Sequence, residues 1–560
     1  MRYKWYKAKK FIFPWFSFLL NLAVALFWVA LRINHSGISK FLGADTNPSF
    51  LIMNLPVMVT AAAWVGCFIA LMGLVQWDRR KWPGIIGFLL GLVFTGAAVA
   101  VVIFGAKDYL RFILPHFWES LAVAGCILAF ALALYCPIHG KNGLKTVIVV
   151  LVILVAVVIG YQLRPCDFSY GAVVYAVEDE YQIVFSTSDN SIAWVEIGGE
   201  TYYELYAGSM KSADRVHKVT VPQAVLDNAK GYSIHAQQMI YRGPFGGYLG
   251  PEISQSYTFR PVDTSDGLDY FALSDVHEAV DAASSAAQVK FDFIVLIGDL
   301  VSMVETEKDA QLANELAHKI TKGQAPVVYA RGNHEIKGEY AEDLYKYVGT
   351  RGQDYYYTAT LGQDVFVVVL DMGEDHEDDW WEYYGTARFD LYRQEQTEFL
   401  EELVKKGEYK DYRYRLALCH IPIQHVDCKF ETFKVNWTRL LNIMDIDMCL
   451  SGHKHELWPF IPGQVEPGTP VQWKDRTEQE FYYLTDFNFP GFLVGRRSLT
   501  VEGDTQSNGN DQYTGLYVQV DFEAGIQTAH YQNSNHEVPV GEYPFAEGEF
   551  RKIEFALKRP

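Results

Sequence analysis

Cysteine is scarce in this chain, seven in 560 residues, and the seven are not spaced as a disulfide framework. Cys67, Cys126 and Cys136 fall in or at the end of long apolar runs, while Cys166, Cys419, Cys428 and Cys449 lie in the remainder. Cys419 and Cys449 read as buried thiols, because a free cysteine behaves as a small hydrophobe; a Cys419–Cys428 bridge stays open. Basic residues are outnumbered: 48 Lys and Arg face 67 Asp and Glu, a net charge of −19. That balance argues against nucleic acid as the main partner, since such a partner calls for a basic face. The glycine-rich run 243–250 lacks GxxxxGK[ST] and is no P-loop. The His277-Glu278 and His455-Glu456 pairs lack the second His of HExxH, which excludes a zinc protease of that type.

The charge is divided unevenly. Residues 1–165 hold 15 Lys/Arg and 4 Asp/Glu, so the other 395 residues hold 33 and 63, a net −30. The first part also carries five apolar stretches of about the length that crosses a bilayer: 11–31, 51–77, 83–104, 112–135 and 146–161. The first is too long for a cleaved signal peptide. Trp5, Tyr6, Trp77, Trp82, Tyr109 and Tyr135 cluster at their ends, as interfacial anchors do. His116 and Glu119 fall in the first turns of the fourth stretch and read as interfacial. With the N-terminus cytoplasmic, the inner segments hold ten basic residues and the outer ones five, so the sequence predicts that orientation. Everything after Arg164 is then expected outside the cytoplasm, and the lipid bilayer is an expected partner.

Residues 167–262 change character. Short alternating runs such as 181–186, 191–197, 217–221 and 232–241 are punctuated by Asp189-Asn190, Gly198-Gly199 and Gly246-Gly247, which predicts a small antiparallel β-sandwich.

From residue 268 the pattern changes again. Five runs, 270–273, 293–297, 325–330, 415–419 and 445–450, read as strands, and the first two, which lack polar alternation, as strands buried on both faces. Each ends in groups able to hold a metal: Asp275-Val276-His277, Gly298-Asp299, Gly332-Asn333-His334-Glu335, His420, and Gly452-His453-Lys454-His455. Chemistry in an open α/β sheet lies at the carboxyl ends of its strands. Taken singly, each residue has a plain reading, Asp275 as the cap of a helix over 278–289 among them. Together, in this order, they resemble the calcineurin-like metallophosphoesterase superfamily over residues 269–459. The preceding sandwich resembles the fibronectin-III-like domain of purple acid phosphatases.

The resemblance implies a dinuclear centre of divalent ions, Mn, Fe, Zn or a mixture. Asp299 would bridge; Asp275, His277 and His455 would complete one site, and Asn333, His420 and His453 the other. It implies a hydroxide held by the ions as nucleophile and His334 as general acid to the leaving oxygen. Two departures narrow the subclass. Purple acid phosphatases place a Tyr three residues after the bridging Asp, where Ser302 stands here, and they usually lack a His at the position of His277. The Asp-Arg-Gly clamp of serine/threonine protein phosphatases is replaced by Leu300-Val301-Ser302-Met303.

Between the third and fourth motifs, 371–385 packs seven acids and four aromatics into fifteen residues and reads as a solvated lid or rim. Residues 389–405 predict an amphipathic helix with Leu391, Phe399, Leu400 and Leu403 on its apolar face. Runs 513–522 and 525–531 predict strands of the far sheet.

The fold expected is therefore multi-domain. A five-helix transmembrane region spans 1–165, an all-β fibronectin-III-like sandwich 167–262, and an α/β metallophosphoesterase domain 263–560, with two sheets flanked by helices. The function expected is a multi-pass, membrane-anchored, extracytoplasmic phosphoesterase acting on phosphate esters, with lipid-linked or envelope esters favoured. Scavenging of soluble esters, nucleotide phosphodiester cleavage, and a non-catalytic metal-binding sensor are the alternatives.

Overall fold

The computed structural model describes residues 166–560 except 207, 244–245, 384, 427–430, 456, 465, 469, 473–479, 484, 498–512, 535–551 and 560. The described residues fall in one compact unit. The strands on the main path of its two principal sheets, in chain order, begin with β1 (Phe168–Val177), β2 (Glu180–Ile197), β3 (Gly231–Gly243) and β4 (Gly246–Thr258). Next come β5 (Leu268–Leu273), β6 (Phe293–Ile297) and β7 (Pro326–Ala330). The second half supplies β8 (Tyr357–Leu361), β9 (Val365–Leu370), β10 (Tyr414–Cys419), β11 (Met448–Ser451), β12 (Trp458–Phe460) and β13 (Gly491–Leu493). It closes with β14 (Tyr513–Asp521), β15 (Ile526–Asn533) and β16 (Ile553–Ala556).

Two sheets carry the fold. The larger runs β16-β15-β14-β5-β6-β7-β1-β2-β3-β4, the smaller β8-β9-β10-β11-β13-β12. Parallel pairing joins β5, β6, β7 and β1 in one sheet, and β9, β10, β11 and β13 in the other. Parallel strands need both faces covered, and their side chains divide accordingly. Tyr270, Ala272, Val295, Val367, Leu416, Leu418 and Leu450 point between the sheets into one core. Phe271, Leu273, Ile294 and Leu296 face outward beneath the helices Val280–Ala286 (α1) and Leu312–Thr321 (α2). On the other side Val368, Leu370, Ala417 and Cys419 pack beneath Phe389–Lys406 (α3) and Glu431–Met444 (α4). This α/β/β/α layering explains why those runs show no polar alternation: each face has its own apolar partner.

The structure corrects the expected fold in three places. First, among the described residues no helix is long and apolar enough to cross a membrane. The longest of those helices, α3, carries charges along its length. The five stretches read as spans lie outside the described residues. The five-helix region and the multi-pass, extracytoplasmic placement rested on apolar run length, aromatic ends and the Lys/Arg distribution, and have no counterpart in the described fold; a bilayer partner is not shown. Second, the strands after residue 167 do not close a sandwich of their own. β1 pairs in parallel with β7 (Val174 with Pro326, Tyr175 with Val327), so β1 to β4 extend the larger sheet. The physical reason lies in β1, where Val173–Val177 is buried on both faces and so needs a strand neighbour and cover on each side. Val174, Ile183, Val195 and Ile234 share one core with Tyr270 and Val367, and Gln182 and Thr350 exchange hydrogen bonds across the join at 2.8 and 3.0 Å. Third, β14 and β15 belong to the larger sheet: β14 lies antiparallel beside β5, the strand leading into the first motif.

Two smaller expectations also shift. The helix after the first motif starts at Val280 with Ala279 as its cap residue, so Asp275 is not a helix cap. In α3 the buried residues are Phe389, Arg393, Gln396 and Leu400, while Leu391 is exposed; a polar pair, Arg393 and Gln396, takes the inward positions because it serves the segment described below.

Candidate metal centre

All the expected site residues lie just beyond the carboxyl ends of parallel strands. Asp275 and His277 follow β5, Asp299 follows β6, and Asn333 and His334 follow β7. His420 follows β10, while His453 and His455 follow β11. The two sheets present these ends to one another, so the larger contributes Asp275, His277, Asp299, Asn333 and His334, and the smaller His420, His453 and His455.

The side chains converge in two groups able to hold a metal: Asp275, His277, Asp299 and His455, and Asp299, His420 and His453. Asp299 belongs to both. Within the first, His277 Nε2 lies 3.1 Å from His455 Nε2, and His455 Nε2 lies 3.4 Å from Asp275 Oδ1. Within the second, His420 Nε2 is 3.1 Å from Asp299 Oδ2. Asn333 joins that group through Oδ1, 3.0 Å from His453 Nδ1. His334 stands beside both: its backbone N–H donates to Asp299 Oδ1 (3.0 Å), and its Nε2 lies 3.8 Å from Asp299 Oδ2.

The backbone is bent to make this possible. Ten described residues other than glycine have a positive φ, and six of them are here: Asp275, His277, Glu278, Asp299, His453 and His455. Such conformations cost on the order of 1–3 kcal/mol each and persist only where the surroundings hold them. Glu335, 2 % exposed, is one such support. Its carboxylate accepts the backbone N–H of Asp299 (2.8 Å), Leu300 (2.7 Å) and Gly332 (3.0 Å), tying the second motif to the third. Asp275 accepts the N–H of His453 at 3.0 Å, tying the first motif to the fifth. Tyr513, on β14, accepts the N–H of Ser274 at 2.8 Å and donates to its carbonyl.

The electrostatics suit cations. Burial pushes the Asp275 carboxyl up to about 6 and the His277 imidazole down to about 4, so His277 is neutral, as a metal ligand must be. Burial also opposes charge on Asp299 and His420, but their mutual attraction wins. It holds Asp299 well below the usual carboxylate range and carries His420 up to about 10. The fit of the residues to metal rests on the donors themselves. His420 Nε2 is buried with no hydrogen-bond partner in line, despite its nearness to Asp299. His420 Nδ1 donates to the Ile297 carbonyl at 2.6 Å, which leaves the Nε2 lone pair facing the centre. Mixed imidazole, carboxylate and amide oxygen donors are those of Mn, Fe and Zn sites.

The acidic stretch after β9 is not simply a solvated rim. Asp371 and Glu374 are each 1 % exposed, Asp371 paired with Arg331 at 2.7 Å and Glu374 with Lys337 at 3.2 Å. Asp375 Oδ2 lies 3.0 Å from His453 Nε2, and His376 stacks on Trp380. Arg393, fully buried, donates to the carbonyls of Met372, Glu374 and His376. Reading the acids as a solvated face hid Glu374, Asp375 and Arg393; Glu335 was in view beside His334 but without a role. Ser302 is held by Glu278, at 2.8 and 2.9 Å. The thiols of Cys166, Cys419 and Cys449 are free and buried, so Cys419 forms no bridge; Cys428 lies outside the described residues.

Residues 268–457 match the model of the calcineurin-like phosphoesterase family, and over that segment the chain carries a calcineurin-like phosphoesterase domain. No curated protein matches the chain. Among solved structures it is similar to purple acid phosphatase PPD1 from yellow lupin (Lupinus luteus) seeds, at 11 % identity over 69 % of this chain and 74 % of that one, with a TM-score of 0.41. It is also similar to PhoD (12 % identity, 65 % and 87 %, TM-score 0.37). A third similarity is to the calcineurin-like phosphoesterase YfkN from Bacillus subtilis (13 %, 49 % and 93 %, TM-score 0.27).

Proposed function

We propose that this chain hydrolyses phosphate esters at a centre of two divalent metal ions. The observation that carries the reading is the pair of donor groups sharing one carboxylate, Asp299. In this reading Asp275, His277 and His455 hold one ion, Asn333, His420 and His453 the other, and Asp299 bridges them. Bound ions of the Mn, Fe or Zn kind would supply Lewis-acid stabilisation of phosphoryl charge and a water of lowered pKa. The protein residues do the rest. Only Asp275 and Asp299 bring negative charge to the ligand set, since Asn333 is neutral, so an anionic ester can enter. His334 is the proton donor to the leaving oxygen. Its Nδ1–H donates to the Ser302 carbonyl at 2.8 Å, so the proton delivered is the Nε2–H of the imidazolium, on the nitrogen that faces Asp299.

The test is hydrolysis by the purified full chain of a panel of phosphate monoesters, diesters and lipid phosphates, with Mn, Fe or Zn added to chelator-stripped protein. Metal-dependent turnover that disappears in Asp299→Asn is expected. A chain that binds the metals yet turns over no ester on the panel would overturn the catalytic reading in favour of a metal-binding sensor.

A further inference from the structure

The Glu374-Asp375 dipeptide touches two residues of the centre from outside it. Asp375 Oδ2 lies 3.0 Å from His453 Nε2, and Glu374 Oε2 accepts from Asn333 Nδ2 at 3.2 Å. A carboxylate only accepts, so the proton of a neutral His453 sits on Nε2 and its lone pair is on Nδ1. By the same logic the Asn333 amide turns its NH2 to Glu374 and its Oδ1 the other way. The two atoms freed by these contacts, His453 Nδ1 and Asn333 Oδ1, then face one another at 3.0 Å. Two acceptors at that distance repel unless a cation lies with them.

We infer that Asp375 is a positioning residue of the metal centre: by holding the Nε2–H of His453 it directs Nδ1 to the ion shared with Asn333 and His420. The inference rests on the dinuclear reading above and adds the residue that sets one ligand's tautomer. Its location is built, not incidental. Asp375 is largely buried, with Lys454 Nζ at 3.9 Å and His376 Nε2 at 3.4 Å from its oxygens. Arg393 fixes the backbone on both sides of it through the Glu374 and His376 carbonyls. Carboxylates placed in this way behind a ligating imidazole orient the ring and raise its basicity, and their loss weakens metal binding by about 10–100-fold.

The experiment is a titration of the chelator-stripped full chain with Zn or Mn against a competing chelator, which reads affinity for each ion without turnover. Wild type is expected to take up two ions. Asp375→Ala should bind one of them about 10–100-fold more weakly and the other as wild type does. The near-isosteric Asp375→Asn, whose amide oxygen still accepts from Nε2–H, should weaken the same ion by less than about tenfold and keeps the test open should the alanine variant not fold. Equal affinities for both ions in wild type and both variants would overturn the assignment alone, as would equal weakening of both ions, which marks a general collapse of the segment. A wild type that takes up no pair of ions would overturn the dinuclear reading and this inference with it.

Discussion

A single methyl group at Gly332 should displace the shared carboxylate. A Cβ built there would meet Asp299 Oδ1 at 2.2 Å, the Asp299 backbone N at 2.3 Å and Glu335 Oε2 at 2.7 Å. Ordinary contact begins near 3.4 Å, so the second motif must retreat by roughly 1 Å, and a misplacement of that size costs on the order of 10²-fold in rate. The atoms in the way are backbone and two hydrogen-bonded carboxylates, none of which can swing aside as a flexible side-chain end could. Overpacking of this kind costs about 1–3 kcal/mol in stability, and the Glu335 contacts to Asp299 and Leu300 would be strained as well. Gly352→Ala is the control. That glycine, unlike Gly332, has a positive φ (+64°) but open space around its would-be Cβ, so only the left-handed backbone, about 1–2 kcal/mol, is at stake. Metal content, turnover and thermal unfolding should be compared for the two. Gly332→Ala is expected to lose metal and turnover, and Gly352→Ala to lose a little stability alone. A Gly332→Ala protein with wild-type metal content and turnover would refute the reasoning.

Three other changes have expected outcomes. His334→Ala should slow hydrolysis of esters with poor leaving groups by roughly 10²–10⁴-fold, with metal content unchanged and a smaller penalty for nitrophenyl esters; equal slowing of both would remove its role as acid. Lys218 donates to Thr350 Oγ1 at 3.0 Å and to the Tyr345 carbonyl, and burial pushes its ammonium down from 10.5 to about 7. Below pH 7 both folded and unfolded chains carry this proton, and between about 7 and 10.5 only the unfolded chain does, so this group's contribution to stability rises with pH across that window. Thermal unfolding of wild type should therefore gain on Lys218→Met from pH 7 to 10, by up to roughly 4 kcal/mol; a constant difference would contradict the sign. Arg393→Met leaves three buried carbonyls without this donor, at a cost of roughly 2–4 kcal/mol, and should open 372–380 to protease; a segment as resistant as wild type would show that Arg393 does not hold it.

The candidate metal ligands were legible because their spacing follows the strands: five strand ends carry donors, and the structure brings those ends together. Glu335 and Asp375 were not legible, since an acid that accepts buried N–H groups and one that lies in solvent are the same letter. Hydropathy misled the reading of β1 to β4, where alternation in β2 and β3 suggested a closed sandwich. The deciding feature was Val173–Val177 in β1, apolar on both faces, which ties the segment to β7. Leu391 shows the converse: helical periodicity placed it inward, but Arg393 and Gln396 hold the inner face because the segment beginning at Asp371 needs donors and acceptors there.

The most direct test of the dinuclear reading is the metal content of the full chain, equilibrated with Mn or Zn and freed of excess ion, beside that of Asp299→Asn. The account predicts two ions per chain, one for each donor group, and a fall in both when the shared carboxylate is replaced. One ion or none in wild type, or two in Asp299→Asn held as tightly as before, would contradict it.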